Sequence, residues 1–588
     1  MQEIYNQLGA VVKAQLLEEF GIENPQIVFQ ETRKEFRGDV TLTVFPFTKA
    51  AKLSPPQLAQ KIGDYLLQNA DIVVHTEVVQ GFLNIGLKDE ILAKHLLAPA
   101  AHRFDAPKRV VVEYASPNTN KPLHLGHVRN FLLGYAVANL QKAVGNTVFK
   151  VQIINDRGIH ICKSMLAWQL YGNGETPQTA MLKGDHLVGK YYVAFNTEYK
   201  KQVAALVQQG KTEAEAEKQA PILLQAQEML RLWETNDADT LALWNTMNGW
   251  VYEGFEETYR AFGVDFDKLY YESDTYLLGK AIVAEGLEKQ AFYQKTDGSV
   301  WVDLTEQGLD HKLLLRSDGT SVYITQDIGL GMQRDADFAM DKSIYTVGNE
   351  QDYHFKVLFL IFKKLGYAWA ANCFHLSYGM VELPSGKMKS REGTVVDADD
   401  LMAEMVETAK IRSQELGKIS ELSADEQEKL SKMLGSGALK YFILRIDPKK
   451  SMVFNPEESI SLQGNTATFI QYAYTRLKSL LRRADMEKMD YANTAYNSDL
   501  LEVERSLCLQ ILQYNSLLQV AADSLSPALL ANYCYETAQK FNKFYQECSI
   551  FNETDEDKKH FRLALCNRIA QTFLHATQIL GIEMPEKM

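Results

Sequence analysis

The sequence predicts an α/β protein: a parallel sheet at its centre, a small α+β unit before it and an all-helical unit after it. Three observations carry this. The valine-dense run "KRVVVEY" (residues 108–114) suits a strand buried on both faces. A loop follows, then "FLLGYAVANLQKAVGN" with apolar residues at helical spacing, then a second buried run, "TVFKVQIIND". Strand, loop, helix and strand form a βαβ unit, so a Rossmann-type parallel sheet begins here. From about residue 400 onward the chain shows helical periodicity and no strand texture.

The elements follow in order. Residues 1–107 open with "MQEIYNQLGAVVKAQLLEEFG", a helix by spacing that stops at Gly21. Strand-like alternation comes next in "GDVTLTVFPFTKAAKL". A helix follows, opened by Ser54 before Pro55 and Pro56, and then one strand, "VHTEVVQGFLNIGL". Residues 108–398 form the sheet domain, interrupted at about 165–260 by a polar helical insertion whose charge runs read as solvated faces. Strand-like runs return in "SVWVDL", "SVYITQD", "KSIYTVG" and "HLSYGMVEL". Residues 399–462 connect this domain to a separate helical domain at 463–588.

At 588 residues the chain exceeds what one core serves, and its composition (46% hydrophobic, 23% charged) is that of a globular protein. No apolar run reaches membrane-spanning length. The N-terminus lacks a basic start, an apolar middle and a cleavage site, so no membrane partner and a cytoplasmic location are expected. The six cysteines are scattered without CxxC spacing, so reduced thiols and no structural zinc are expected. A net charge of −13 speaks mildly against a nucleic-acid partner, but totals cannot see a local basic face.

Two stretches carry chemistry. In "ASPNTNKPLHLGHVRN" (115–130), His124 and His127 are three residues apart at a helix entry, and Gly126 admits close approach to the backbone. A helix N-terminus with two imidazoles suits phosphate, while a zinc pair or ordinary capping histidines remain open from the motif alone. The second stretch, "SGKMKSREG" (385–393), reads either as a basic surface loop or as a clamp whose cations neutralise a leaving pyrophosphate.

Together and in this order the two stretches resemble the HIGH and KMSKS signatures of class I aminoacyl-tRNA synthetases. The wording "SPNTNKPLHLGHVRN", with "NDRGIHICKSM", "DGTSVYITQDIG", "YTVGNEQDYHF", "GNTATFIQYAYTR" and "LGIEMPEKM", is similar to the arginyl family along essentially the whole chain. The resemblance implies a catalytic sheet domain, a tRNA-binding N-terminal domain and a helical anticodon-binding domain. It implies activation of arginine by ATP, with magnesium, and transfer of the arginyl group to the 2′-hydroxyl of the terminal adenosine of tRNA(Arg), by a chain expected to act as a monomer. It also implies that activation requires tRNA. Competing readings are a synthetase for another amino acid, a non-catalytic RNA-binding relative, and a small-molecule nucleotidyltransferase. The long helical C-terminus and the extra N-terminal unit speak against the last.

The resemblance also implies residue roles. His124, His127 and Lys387 would act on the phosphates, and Pro117, Leu125, Gly126, Gly348, His354, Met388 and Ser390 would bind ATP. The sequence departs from KMSK at its fourth place, where Ser390 stands for lysine. Lys121, just before the first signature, would supply the missing charge. Arginine would meet Glu113, Ser116, Asn118, Tyr323, Asp327 and Gln351; the competing reading is that Glu113 only caps a loop and Tyr323 only packs. Tyr472, Tyr474 and Arg476 would read the anticodon, or the tyrosines would be core, and Phe82 and Asn84 would touch the outer corner of the tRNA.

Overall fold

A computed structural model describes residues 1–588 except 34, 99–103, 105, 277, 383–395, 416–421, 492–495 and 497. Helix α1 (Gln2–Phe20) ends where expected, at Gly21 with φ 63°. It packs with α3 (Pro55–Asn69) on an antiparallel sheet of order β1-β2-β4-β3: β1 Phe29–Glu31, β2 Val40–Thr43, β3 Val73–Val79 and β4 Phe82–Leu87. Ser54 caps α3 as its sequence suggests, with its N–H and Oγ both donating to Gln57 Oε1.

Two local readings need correction. Strand texture beyond Thr43 gives way to α2 (Phe45–Ala51), because Pro46 has no N–H for a ladder yet suits a first helical turn. The single strand expected at 74–87 is a hairpin: Gln80, at φ 58°, and Gly81 turn the chain between β3 and β4.

The central sheet is parallel, with order β12-β11-β5-β6-β7. Its first strands are β5 (Arg109–Glu113), β6 (Thr147–Ile154) and β7 (Lys268–Tyr271). A small antiparallel sheet of β8 (Tyr293–Gln294), β9 (Val300–Val302) and β10 (Lys312–Leu315) precedes β11 (Lys342–Gly348) and β12 (Cys373–Tyr378). The short strands β13 (Val381–Glu382) and β14 (Met452–Val453) pair with each other. β5 is followed by α4 (Leu125–Ala143) and then β6, the predicted βαβ unit. Between β6 and β7 lies the helical insertion, including α5 (Ile159–Tyr171), α6 (Gly184–Gln208) and α7 (Ala238–Ala261).

"SVYITQD" is not a strand. It begins α8 (Tyr323–Phe338), where Thr325 Oγ1 donates to Leu314 O at 2.5 Å and the Gly279 backbone packs on the Thr325 carbonyl. These contacts override the β propensity of Val322, Ile324 and Thr325.

Beyond the sheet come α9 (Ala398–Glu415), α10 (Ala424–Leu444), α11 (Ala467–Met486), α12 (Glu502–Asp523), α13 (Pro527–Glu547) and α14 (Glu556–Ile579). All six cysteines are buried and free. The N-terminal sheet is joined to α12 through Arg505, which pairs with Asp39 and Asp89 and donates to Leu87 O at 2.9 Å.

α4 lies close on β5 because Gly134 faces Tyr114. A Cβ at Gly134 would stand 2.3 Å from Tyr114 Cβ. Gly134→Ala is therefore expected to destabilise the sheet domain by about 1–3 kcal/mol through overpacking, read as a lower urea midpoint by fluorescence. An unchanged midpoint would contradict the close packing.

Candidate active site

α4 begins without serine, threonine or aspartate at its cap. His124 takes that place in extended backbone, and its Nδ1 accepts the Gly126 N–H at 3.1 Å. In return His127 Nδ1 accepts the His124 N–H at 3.1 Å, so the two imidazoles form a reciprocal cap with ring centroids 3.8 Å apart. Both Nδ1 atoms are acceptors, which fixes the tautomer and leaves each Nε2–H to donate. Desolvation, then the charge of Lys121, pushes His124 down to about 3. Desolvation, His124 and Lys121 push His127 far below the usual histidine range. At neutral pH the pair is therefore two uncharged N–H donors at a helix N-terminus. The nearest neighbour of a Cβ on Gly126 would be the His124 ring itself, at 3.0 Å.

The strand order reverses between β11 and β5, and ligands on such sheets bind beyond the carboxyl ends at that point. Asn130 on α4 joins the two sides: its Oδ1 accepts the Ala115 N–H at 2.6 Å and its Nδ2 donates to Thr346 O at 2.8 Å. This holds Ala115 at φ 57°, a left-handed conformation that costs a non-glycine residue about 1 kcal/mol or more. The loop then runs beside the extension of β6. Asn155 N–H donates to Pro117 O, Thr119 N–H donates to Asn155 O, and Asn118 forms a bridge with Asn155 while its side chain stays exposed. Arg129, 1% exposed, donates to the carbonyls of Met380, Pro448 and Lys450. α4 is thereby tied to the chain just before residues 383–395. On the far side Val396 and Ala398 form backbone bonds with Leu125 and Leu123.

Carboxylates gather at the carboxyl ends of β5 and β7 and on α8. Tyr323, 80% exposed, and Asp327 lie one turn apart on α8, and Asp327 meets His354 Nε2 at 2.6 Å. Gly348 ends β11, and Gln351 is exposed just beyond it. Glu113 is committed to the buried Arg334 at 2.5 Å, and its other oxygen accepts from Ser116 Oγ at 3.3 Å. Sequence reasoning missed Glu272, at the end of β7. Its carboxyl is pushed up to about 7 by desolvation and by the charges of Asp156 and Asp327, opposed by Arg157. Asp156 fixes the turn beside Glu272 by accepting from Ser273 N at 2.9 Å, Ser273 Oγ at 2.8 Å and Tyr252 OH at 2.8 Å.

Comparison with known proteins gives this arrangement its family. Residues 89–455 match the model for class I tRNA synthetases (R), catalytic domain. Residues 3–87 match the arginyl tRNA synthetase N terminal domain, and 470–588 match the DALR anticodon binding domain. An arginine–tRNA ligase of Flavobacterium psychrophilum is 54% identical, with 100% of each chain covered, and one of Parabacteroides distasonis is 50% identical, also with 100% of each covered. The chain belongs to the arginyl-tRNA synthetase family. Solved arginyl-tRNA synthetases of Thermus thermophilus (TM-score 0.80, 23% identity, 100% of each chain covered) and Plasmodium falciparum (TM-score 0.78, 19% identity, 100% and 99% covered) share its fold. ATP-dependent ligation of arginine to tRNA goes with this membership.

The remaining expectations of an arginyl-tRNA synthetase fall unevenly. Lys387, Met388 and Ser390 lie outside the described residues. On α11, Tyr472 and Arg476 line a cavity of about 370 Å³ with Arg482, Lys587 and Met588, and Arg476 stacks 4.4 Å over the Tyr472 ring. Tyr474 needs correction. It is 3% exposed, its hydroxyl turned to Glu586, so its ring is closed to a base. Asn84 also needs correction: 2% exposed, it accepts from Thr41 Oγ1 at 2.6 Å inside the N-terminal sheet. Phe82 packs edge-on against the exposed Phe45. No described helix is long and apolar enough to cross a membrane.

Gly126→Ala tests the cap. The methyl group would press on the His124 ring and tilt it, so ATP–pyrophosphate exchange should fall by about tenfold or more with an unchanged thermal midpoint. Full activity would mean that the ring position is not critical.

Proposed function

We propose that the His124–His127 pair acts on ATP while the carboxylates beyond β7 and on α8 hold arginine, so that the arginine carboxylate attacks the α-phosphate and pyrophosphate leaves. The observation that carries this reading is the neutral pair of Nε2–H donors at the N-terminus of α4. Donors of this kind are already in place when charge develops, and a preorganised donor is worth about 100–1000-fold in rate. The same donors serve the second step, in which the 2′-hydroxyl of the terminal adenosine of tRNA takes the arginyl group and AMP leaves.

Lys121 supplies the charge missing at Ser390. Its depression of both histidine pKa values supports its nearness to the pair. Lys387 adds a second cation from the signature loop, and magnesium enters with ATP as part of that substrate. Pro117, Leu125 and Gly126 border the adenosine, with Gly348 and His354 across the switch point. Asp327 and Glu272 form the fork for the guanidinium, Tyr323 covers it, and Asn118, Ser116 and Gln351 hold the amino-acid end. Glu113 keeps Ser116 in place. Such a fork takes the planar guanidinium and fits lysine poorly. The anticodon loop uses the cavity at Tyr472, Arg476 and Lys587, where rings stack on bases and cations meet phosphate.

The test is ATP–pyrophosphate exchange with each amino acid, with and without tRNA. Exchange should occur with arginine alone among them. Asp327→Ala should raise the arginine KM steeply, and Lys121→Ala should lower the exchange rate. In the absence of arginine Glu272 titrates at about 7, and the guanidinium binds its ionised form. The arginine KM should therefore climb as pH falls below 7, by up to about tenfold per unit, and Glu272→Gln should give a high KM that no longer follows pH. An unchanged KM in Asp327→Ala would overturn the pocket, and unchanged exchange in Lys121→Ala would overturn the charge replacement.

A further inference from the structure

The first turns of α6, in the helical insertion, lie against both chain segments that hold the histidine pair. Gly189 packs on Pro122: a Cβ there would stand 2.7 Å from Pro122 Cδ and 3.6 Å from Lys121 Cα. Just before it, Lys183 pairs with Asp399, donates to Thr258 Oγ1 at 2.6 Å and lies 3.4 Å from Asp185. His186 Nε2 stands 3.3 Å from Asp399 and 3.4 Å from Asp397. Thr258, on α7, completes the group by donating to Asp399 Oδ1 at 2.9 Å.

The turn they hold leads directly to the histidines. Asp397 bridges His124 through the backbone, Leu125 N–H donates to Val396 O at 3.1 Å, and Ala398 N–H donates to Leu123 O at 3.0 Å. Asp397 Oδ1 also caps α9 by accepting the Asp399 N–H at 2.8 Å, which makes the turn rigid. The ligand atoms of Asp185, His186 and Asp399 come within 4.8 Å of one another, as metal ligands would. The Lys183 ammonium is already the cation between the two carboxylates, so the chain meets that charge itself.

We propose that Lys183 and His186 are positioning residues for the ATP step. They fix the Asp397–Asp399 turn, and that turn fixes the register of His124 and Leu125 at the start of α4. The insertion, and not the sheet alone, thus sets where the two Nε2–H donors sit. The proposal rests on the reading that the His124–His127 pair acts on ATP.

The test is ATP–pyrophosphate exchange by the full chain with arginine and tRNA. Lys183→Met should lower kcat by about 10–100-fold with little change in the arginine KM, because the carboxylate fork lies on other elements. Lys183→Arg should restore most of the rate. His186→Asn removes only a partly exposed imidazole, and it decides the matter if Lys183→Met fails to fold. It should lower kcat in the same pattern at an unchanged thermal midpoint. A folded Lys183→Met or His186→Asn variant with wild-type kcat overturns the proposal, and so does one whose arginine KM rises in step with the fall in kcat. Wild-type exchange in His124→Asn would instead overturn the underlying reading, so the two failures are distinguishable.

Discussion

The start of α4 is the constraint on which the rest depends. A helix N-terminus leaves N–H groups without partners, and here two imidazoles satisfy them in exchange for having their own protonation fixed. That choice has consequences in both directions along the chain. Upstream, Ala115 must bend into a left-handed conformation and Asn130 must hold it there. Downstream, Gly126 must remain small beside the His124 ring, Gly134 must let α4 lie on Tyr114, and Arg129 must gather three carbonyls from distant loops. Each of these residues is explained by where the histidines have to be.

Charge is arranged as sharply as backbone. The chain carries −13 overall, yet the histidine pair is neutral rings beside a lysine, while carboxylates collect beyond β7 and on α8. On the proposed function, a triphosphate and a guanidinium have separate poles to meet. Glu113 would add to the acidic pole, but the buried Arg334 neutralises it. Two buried charges in contact cost desolvation, and breaking one partner of such a pair costs about 3–5 kcal/mol. The remaining oxygen of Glu113 accepts from Ser116 Oγ.

Much of this was legible in the sequence. Runs of valine and isoleucine marked β5, β6 and β11, because strands buried on both faces need no polar alternation. The glycine and serine signals at Gly21, Ser54 and Gly145 marked helix ends for reasons of backbone conformation. Reading failed where tertiary contact outweighed local preference. "SVYITQD" looks like a strand until Thr325 is tied to Leu314, and the Gln80–Gly81 turn hides in an unbroken run of strand-like texture. Glu272 carries no motif, since only the pairing of β6 with β7 brings it near Asp156, and only packing against α8 brings it near Asp327. Tyr474 and Tyr472 are two residues apart on one helix, and only packing tells that one is core and the other lines a cavity. The Lys183–Asp399 contact joins residues with 215 others between them, and no spacing rule reaches that far.

The account turns on the protonation of two imidazoles, and nitrogen-15 NMR of the histidine-labelled protein reads it directly. With resonances assigned through His124→Asn and His127→Asn, both rings should show a bare Nδ1 and a protonated Nε2, and neither should titrate between pH 5 and pH 8. A midpoint near the ordinary histidine value of about 6.5, or a proton on either Nδ1, would contradict it.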